Sequence, residues 1–377
     1  MKSIKVLMFP IMFMTLACNG DDGTPDPRPN TLAQDIENII KPMVDDKTTV
    51  GAAVGIVKPG GAKEMFFYGE KNKGQSDIPD ENTLFEIGSI TKTMTATVLA
   101  EMVLNSEIIL DDAVEDYLPE IENFPNYNGE KITFKHLANH TSSLPRLPGN
   151  LTDGNFDERQ PYLNYTKEMM FDFLDGYNLP RPVGSEEEYS NLATGLLGYV
   201  LAKIKGKSLA VLFEEIIFDE LNMAGACSVI PSEYSNIAEP YDEHRNPVSI
   251  WDMSEATLGA GGVKASLKDM LLFLEANMGK GSSGLIETLE LTHENTQTLN
   301  VPFTVGLAWN NIYKAEDNTT LTWHNGGTAG SVSVIGFIKE LDMGFVLLFN
   351  TEIVDRTGQN LIELAKGIEV IEAMKRH

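Results

Sequence analysis

The order of strand-like and helix-like segments is the feature that most limits which fold this chain can adopt. Two β-rich runs near its start, TVGAAVGIVK and EMFFYGEKN, are separated by PGGAK, and this pattern predicts a hairpin. Four further β-rich runs stand near its end: VGLAWNNIY, TLTWHN, SVSVIGFIK and MGFVLLFN. From Ser89 to about residue 250 the apolar periodicity is mostly helical. Strands at both ends with helices between them favour one sheet to which both ends contribute.

We therefore predict an α/β (α+β) fold with an antiparallel sheet formed from both chain ends and an inserted, mostly helical subdomain at about residues 89–250. Helical periodicity in TLAQDIENIIKPMVDD and GQNLIELAKGIEVIEAMKR predicts terminal helices that flank the sheet. A further amphipathic helix, LKDMLLFLEANMG, is closed by Gly279. The cleft between sheet and helical subdomain is the expected binding site.

The first 18 residues, MKSIKVLMFPIMFMTLAC, have two lysines, an apolar run of signal-peptide length and a small residue before Cys18. The run is too short for a comfortable membrane span. We expect residues 1–18 to be a lipoprotein signal peptide with Cys18 as the lipidated lipobox cysteine, so that the protein is exported and anchored in a bacterial cell envelope. Thr15 stands where such boxes usually carry Leu, which leaves plain secretory cleavage open. Residues 19–30, NGDDGTPDPRPN, form a flexible tether.

The acidic character of the chain excludes two classes of partner. Its formal net charge is −26, and the acidic residues are spread along the sequence. Such a surface repels the phosphates of nucleic acids and of anionic lipids. We expect no nucleic-acid partner and a membrane contact only through the lipid anchor. Cys227 stands among small and apolar residues and is interpreted as a buried free thiol.

The stretch FEIGSITKTMTA contains the one Ser-x-x-Lys of the sequence, Ser89 and Lys92. A serine hydroxyl becomes a nucleophile when a base within hydrogen-bond reach takes its proton. Positions i and i+3 at the start of a helix lie on one face, so the two side chains can touch. The free N–H groups of the helix start favour a developing oxyanion. The alternative is an N-cap serine followed by an ordinary surface lysine.

The residues that follow Ser89 favour the first interpretation. Apolar side chains cover much of the helix surface, and they are Ile90, Met94, Val98, Leu99 and Met102. A helix of this composition is central to its domain, so Lys92 on its first turn is expected to be at least partly buried.

A tyrosine could relay protons beside such a serine, and the tripeptide YSN occurs twice. Tyr189–Asn191 leads into LATGLLGYVLAKI, whose helical pattern would hold it on a firm loop. The copy at Tyr234 runs into the Pro- and charge-rich IAEPYDEHRNP. We therefore assign Tyr189 to proton transfer, and Asn191 to orienting Lys92 and binding a substrate carbonyl. Tyr234 is left to structure.

The stretch TWHNGGTAGSVSVIGF has strand-like runs on both sides of His324, Asn325, Gly326 and Gly327. Two glycines would let a substrate approach a strand edge. A backbone N–H there could complete an oxyanion hole with that of Ser89. The alternative is a Gly-rich hairpin with a histidine of no functional importance.

FEIGSITKTMTA, YSN and HNG resemble, in this order, the signature motifs of the serine β-lactamase and penicillin-binding protein superfamily. ITFKHLANHTSSLP and GAGGVKASLKDMLLFL resemble further stretches of its class C-like branch, which contains β-lactamases, D-alanyl-D-alanine peptidases and esterases. The resemblance covers about residues 32–375 and implies a helical domain beside an antiparallel sheet. Residues 31–377 are accordingly identified as a β-lactamase-related catalytic domain.

The resemblance also implies roles for the site residues. Ser89 would be the acylated nucleophile and Lys92 its base, while Tyr189 would protonate the leaving group and activate the deacylating water. Substrate-binding positions would be Asn191, His324, Asn325, Gly326 and Gly327, with Gly327 giving the second oxyanion N–H. The string E-x-x-L-N occurs once, at Glu101–Asn105 within the helical run that follows Ser89, and no later loop carries this motif of class A β-lactamases, so deacylation assisted by tyrosine is expected.

The third motif departs from the Lys-Thr-Gly that is common in the family, whose cation and hydroxyl bind a substrate carboxylate. His324 is neutral at pH 7 if its pKa is the usual one, and Asn325 replaces the hydroxyl. We therefore expect weaker carboxylate binding and a lower aptitude for β-lactam hydrolysis. Ser143 stands where the family usually carries glycine, which is a minor change in a loop.

These features predict an acyl-enzyme serine hydrolase that acts on small-molecule or peptide substrates as a monomer. The candidate substrates are, in order, D-alanyl peptides, β-lactams and small esters. The sequence has no G-x-S-x-G of α/β-hydrolases and no H-E-x-x-H of metalloproteases, so we expect no cofactor and no metal. His136 and His140 are interpreted as loop and packing residues. The rival is a catalytically inactive envelope binding protein, which would require the loss of Ser89, Lys92 or Tyr189.

Overall fold

The structure is a computed structural model that describes residues 30–281, 283–300, 302–353 and 362–377. The predicted signal peptide with Cys18, and all of the predicted tether except Asn30, lie outside the described residues. Among the described residues, no helix combines the length and the apolar character that a membrane span needs.

The helices and strands follow the predicted order. The α-helices are α1 (Leu32–Asp45), α2 (Thr91–Leu104), α3 (Phe134–Ala138), α4 (Lys167–Leu174), α5 (Asn191–Lys205), α6 (Leu209–Phe213), α7 (Asp219–Leu221), α8 (Leu267–Asn277), α9 (Ile286–His293) and α10 (Ile362–Lys375). The strands are β1 (Gly51–Val57), β2 (Lys63–Gly69), β3 (Leu84–Glu86), β4 (Asn126–Tyr127), β5 (Glu130–Lys131), β6 (Lys264–Ser266), β7 (Gln297–Asn300), β8 (Phe303–Val305), β9 (Asn310–Lys314), β10 (Thr319–Gly327), β11 (Val332–Ile338) and β12 (Met343–Phe349).

One large sheet combines both ends of the chain. Its strand order is β2-β1-β12-β11-β10-β9-β8-β7, and all neighbouring strands are antiparallel. β1 and β2 form the predicted hairpin, and β12 from the other end of the chain pairs with β1. The predicted sheet of both chain ends is therefore confirmed. β3 pairs with β6, and β4 with β5, in two small additional sheets.

Two separate layers cover the faces of the large sheet. Ala52, Val54 and Ile56 of β1 pack in a core with α1 and α10, which are the predicted flanking helices. Ala53 and Val57, on the opposite face of the same strand, join the larger core with α2, α5 and α8. All seven residues of β1 are buried because both faces are covered. Helices α2 to α7, with long loops between them, lie between β3 and β6 along the chain.

The run VGLAWNNIY was wrongly predicted as one strand. β8 ends at Val305 and β9 begins at Asn310. Between them Ala308 has a φ of 61°, and the N–H of Gly306 donates to the carbonyl of Trp309 at 2.8 Å. This turn buries Trp309 completely. A buried turn has the apolar composition of a strand, which explains the error.

Candidate active site

Ser89 lies in a 3₁₀ turn, Gly88–Ile90, that leads directly into α2. From Thr83 to Ala100 every residue is buried except Ser89, which is partly exposed. Its hydroxyl does not cap the helix, and instead accepts a hydrogen bond from Lys92 Nζ at 3.1 Å. The alternative of an N-cap serine with a surface lysine is therefore excluded.

Lys92 is completely buried, as the apolar helix predicted. Besides Ser89, its Nζ donates to Asn191 Oδ1 at 2.8 Å and to the carbonyl of Ala260 at 2.6 Å. Burial lowers the pKa of Lys92 well below its ordinary value, and the Arg146 guanidinium adds to this effect. A lysine held in this way can be neutral near physiological pH, so its nitrogen can take the proton of the Ser89 hydroxyl.

Tyr189 ends the loop that precedes α5, and the structure brings its ring next to Lys92. Lys92 Nζ lies 4.8 Å from the ring centroid. The loop is fixed because Ser190 caps α5, its Oγ accepting from the N–H of Ala193 at 2.9 Å. Burial raises the pKa of Tyr189, and contact with the Ser89 hydroxyl opposes this only partly. The phenol therefore stays protonated and can donate a proton.

The second YSN copy lies elsewhere. The Tyr234 hydroxyl donates to the carbonyl of Asn82 at 2.5 Å, and the residue does not line the cavity beside Ser89. The structure thus brings together Ser89, Lys92, Tyr189 and Asn191, as predicted, and leaves Tyr234 apart.

His140 supports Tyr189 from the HTSSLP stretch. Its Nδ1 accepts from the N–H of Ser190 at 3.2 Å, and its ring centroid lies 4.5 Å from that of Tyr189. The N–H of Glu188 donates to the carbonyl of His140 at 2.8 Å. His140 was predicted to be a packing residue, but its contact with the candidate proton donor was not predicted. Ser143 has a φ of 63°, a conformation that explains why glycine is common at this position.

His324 lies beneath the cavity surface instead of lining it. Its side chain is 1% exposed, its Nδ1 donates to the carbonyl of Asn325 at 2.6 Å, and its ring centroid is 6.3 Å from that of Tyr189. Burial, assisted by the nearby charge of Lys92, lowers its pKa to about 3. The lowered pKa agrees with the neutral state that we expected for His324. A side chain this deeply buried does not agree with the predicted direct contact with substrate.

Asn325, which was predicted as a substrate-binding position, directs its side chain to a different layer of the structure. Successive residues of a strand point to opposite faces, so Asn325 points away from the side of His324. Its Nδ2 donates to Glu363 Oε1 of α10 at 2.9 Å. Asn325 lines the cavity, but its side-chain amide is engaged on the α10 face of the sheet.

Gly326 and Gly327 lie in β10 itself, and not between two strands as predicted. β9 pairs with β10 only as far as Trp323, so the edge of β10 beyond that residue passes the Ser89 turn. A Cβ on Gly326 would lie 2.0 Å from the carbonyl oxygen of Ile87. That glycine therefore makes room for the backbone before Ser89, while it also lines the cavity.

Gly327 lies beside the same turn. A Cβ on Gly88 would lie 2.7 Å from the Gly327 nitrogen, and Gly88 has a φ of 48°. Both observations require glycine at position 88. The Gly327 amide thus lies at the mouth of the Ser89 turn, where it can act together with the Ser89 amide on an oxyanion.

A cavity of about 450 Å³ opens beside Ser89. Its walls combine apolar and aromatic side chains with polar groups. The residues that line it are Ser89, Arg146, Leu147, Pro148, Leu151, Tyr162, Tyr165, Tyr189, Asn191, Leu192, Trp251, Met253, Ala256, Thr257, Ala260, Gly261, Asn325, Gly326, Gly327 and Thr328. This composition is typical of a site for a small organic substrate.

Glu86, three residues before Ser89, joins two walls of this cavity. The buried carboxylate accepts from the N–H of Trp251 at 2.7 Å and from Thr328 Oγ1 at 2.9 Å. Burial raises the pKa of Glu86, although these hydrogen bonds oppose the shift. Glu86 was not predicted as a site residue. Its only signal was a glutamate within the otherwise apolar run LFEIG.

The sequence model of the beta-lactamase family matches residues 36–366. The chain belongs to this family. A β-lactamase of Pseudomonas fluorescens is 29% identical over 283 residues, 74% of each chain. The D-alanyl-D-alanine-carboxypeptidase/endopeptidase AmpH of Escherichia coli K12 is 27% identical over 301 residues, 77% of this chain and 76% of the relative.

Solved structures show the same fold. A class C β-lactamase has a TM-score of 0.79 at 22% identity and covers 90% of this chain and 96% of its own. The D-alanine carboxypeptidase AmpC of Burkholderia cenocepacia has a TM-score of 0.77 at 23% identity and covers 91% and 99%. The chain therefore has the fold of these class C-like enzymes, as its motifs indicated.

Proposed function

We propose that the protein is a serine hydrolase that forms a covalent acyl-enzyme at Ser89. One observation carries this proposal: the buried Lys92 amine donates to the partly exposed Ser89 hydroxyl at 3.1 Å and has a strongly lowered pKa. Lys92 takes the hydroxyl proton, and the Ser89 oxygen attacks the substrate carbonyl. The amides of Ser89 and Gly327 stabilise the resulting oxyanion.

Tyr189 supplies the second proton transfer. Its protonated phenol donates to the leaving group, and the same oxygen afterwards orients the water that hydrolyses the ester at Ser89. Asn191 holds Lys92 through its Oδ1. The substrates are D-alanyl peptides or β-lactams, with a small ester as the alternative within the same chemistry. Relatives named as β-lactamase and as D-alanyl-D-alanine-carboxypeptidase support these two classes.

The test is steady-state hydrolysis of a D-alanyl-D-alanine peptide, a penicillin and an activated phenyl ester. Wild type is compared with Ser89→Ala and with Ser232→Ala, an exposed serine remote from the cavity. We expect turnover of at least one substrate by wild type and Ser232→Ala, and none above background by Ser89→Ala. Equal turnover by Ser89→Ala would refute the nucleophile, and no turnover by any form would favour a binding protein.

We further propose that the enzyme is exported and lipid-anchored at Cys18. The support is the sequence of residues 1–18, which lie outside the described structure. Cys18→Ser should move the protein from the membrane fraction to the soluble fraction after cell lysis. An unchanged distribution would leave plain secretory cleavage as the better account.

A further inference from the structure

Arg146 is the single charged residue among the described residues that line the cavity. The chain as a whole has a net charge of −26. A single cation at the wall of this pocket in so acidic a protein is a specific feature, because no ion pair among the described residues accounts for it. Its charge is therefore available to an anionic group of a substrate in the cavity.

The backbone of Arg146 is fixed to the first residues of α5, next to Tyr189. Its carbonyl accepts from the N–H groups of Asn191 at 2.9 Å and of Leu192 at 3.4 Å. The guanidinium carbon lies 5.0 Å from the centroid of the Tyr189 ring, which places the cation over the aromatic face. The residue is thus positioned from two sides while its side chain stays exposed.

The hydrogen-bonding capacity of the guanidinium is unused in the described part of the chain. No aspartate or glutamate there lies within ion-pair distance of it, and no hydrogen bond to it is formed. A guanidinium offers five N–H donors in a planar fork, and stacking on an aromatic face leaves those edges free. The geometry matches two-point binding of a carboxylate.

We propose that Arg146 binds a carboxylate of the substrate and determines the specificity of the enzyme for anionic substrates. The inference rests on the proposed function, since it concerns the substrate of the acyl-enzyme at Ser89. It also explains how a site with a buried, neutral histidine at position 324 still provides a positive charge. The carboxylate can belong to the acyl half or to the leaving group, and both sources are tested separately.

The experiment uses phenylacetylglycyl phenyl esters in two matched pairs. One pair carries a carboxylate or a carboxamide on the leaving phenol, and the other carries the same groups on the phenyl ring of the acyl half. We expect wild type to prefer the carboxylate in one pair by about tenfold or more in kcat/KM, as for a hydrogen-bonded charge. Arg146→Gln should lose this preference, and Arg146→Lys should keep part of it.

The carboxylate-to-carboxamide ratio of kcat/KM within a pair separates carboxylate binding by Arg146 from an effect of Arg146 on the Lys92 amine. Loss of Arg146 also changes the environment of the Lys92 amine, but that effect is common to carboxylate and carboxamide and cancels in the ratio. Hydrolysis of the esters with no carboxylate preference in wild type, or with an undiminished preference in Arg146→Gln, would overturn the inference alone. Failure of wild type to hydrolyse any of the four esters would overturn the proposed function as well.

Discussion

At the scale of single residues, the reactivity of Ser89 depends on the contrast between one partly exposed hydroxyl and its buried neighbours. Lys92 is completely buried and donates to three oxygens, two of which belong to Asn191 and Ala260. These two acceptors hold the amine in place beside the Ser89 oxygen. Burial makes its neutral form accessible, so position and basicity have the same structural cause.

The duplicated YSN provides a matched test of the proton donor. Tyr189→Phe removes the phenol oxygen but keeps the ring that packs on His140, so we expect kcat to fall by about 100-fold or more. Tyr234→Phe removes a hydroxyl that binds only the Asn82 carbonyl in the described structure, and should leave kcat within about twofold. Steady-state kinetics on one ester measure both. Equal effects of the two substitutions would contradict the assignment.

The sequence predicts some of these residues well and others poorly. Ser89 and Lys92 are related by helical spacing, and Tyr189 and Asn191 stand at a helix start, so their geometry is local. His324 and Asn325 depend on which face of β10 meets which layer, and that is decided by α10, far along the chain. The sequence therefore could not show that His324 is buried or that the Asn325 amide contacts Glu363, although it placed both residues near the site.

At the scale of elements, the site depends on close contact between β10 and the turn before α2. Gly326 and Gly88 let the two backbones approach to distances that no side chain would permit. Ser333 on β11 adds a hydrogen bond from its Oγ to the carbonyl of Ile87 at 2.8 Å. These contacts place the Gly327 amide next to Ser89.

Gly326→Ala tests this contact directly. The added Cβ would lie 2.0 Å from the Ile87 carbonyl oxygen, so β10 or the turn must move. We expect a loss of about 1–3 kcal/mol in the free energy of unfolding, the usual cost of overpacking, and slower acylation. Chemical denaturation and burst kinetics measure the two effects.

Gly327→Ala is the control for stability, because its Cβ would meet only the Ser331 carbonyl oxygen, at 4.0 Å. Its free energy of unfolding should stay within about 0.5 kcal/mol of wild type, as for a substitution into open space. Equal destabilisation by the two alanines would show that the close approach at Gly326 does not cause the lower stability of Gly326→Ala.

Secondary structure was predictable where its pattern is local. The apolar periodicity and the turn residues predict the β1–β2 hairpin, the terminal helices α1 and α10, and the end of α8 shortly before Gly279. The turn at Ala308 between β8 and β9 was not predictable, because a buried turn and a buried strand have the same apolar composition. The short pairs β3–β6 and β4–β5 carry too few residues to show a period.

At the scale of the whole molecule, the sheet separates two cores and the catalytic cavity lies on the side of the larger one. That core also encloses titratable groups, among them His293 of α9. Its Nε2 lies 2.9 Å from Asn277 Oδ1, and its ring packs against Trp309 and Phe337. Burial, assisted by the charge of Lys339, lowers the pKa of His293 well below its ordinary value.

This burial predicts that stability falls in mild acid. The imidazole of the unfolded chain takes up a proton as pH falls through about 6.5, and that of the folded chain does not. Protonation therefore stabilises the unfolded state relative to the folded state. Between pH 7.5 and 5.5 His293 should therefore contribute a loss of about 1.4 kcal/mol. His293→Gln should lose less stability over that interval than wild type, whatever its stability at pH 7.5. His244→Gln, at an exposed site, is the control and should follow wild type.

The central claim is that a buried, neutral lysine activates Ser89, and the rate of acylation at Ser89 tests it most directly. Intact-mass quench-flow with an activated ester, followed by peptide mapping, gives the rate and the modified residue for wild type and Lys92→Met. We predict an adduct on Ser89 in wild type, and acylation slower by about 100-fold or more in a folded Lys92→Met enzyme. An adduct on another residue, or equal rates in the two proteins, would contradict the account.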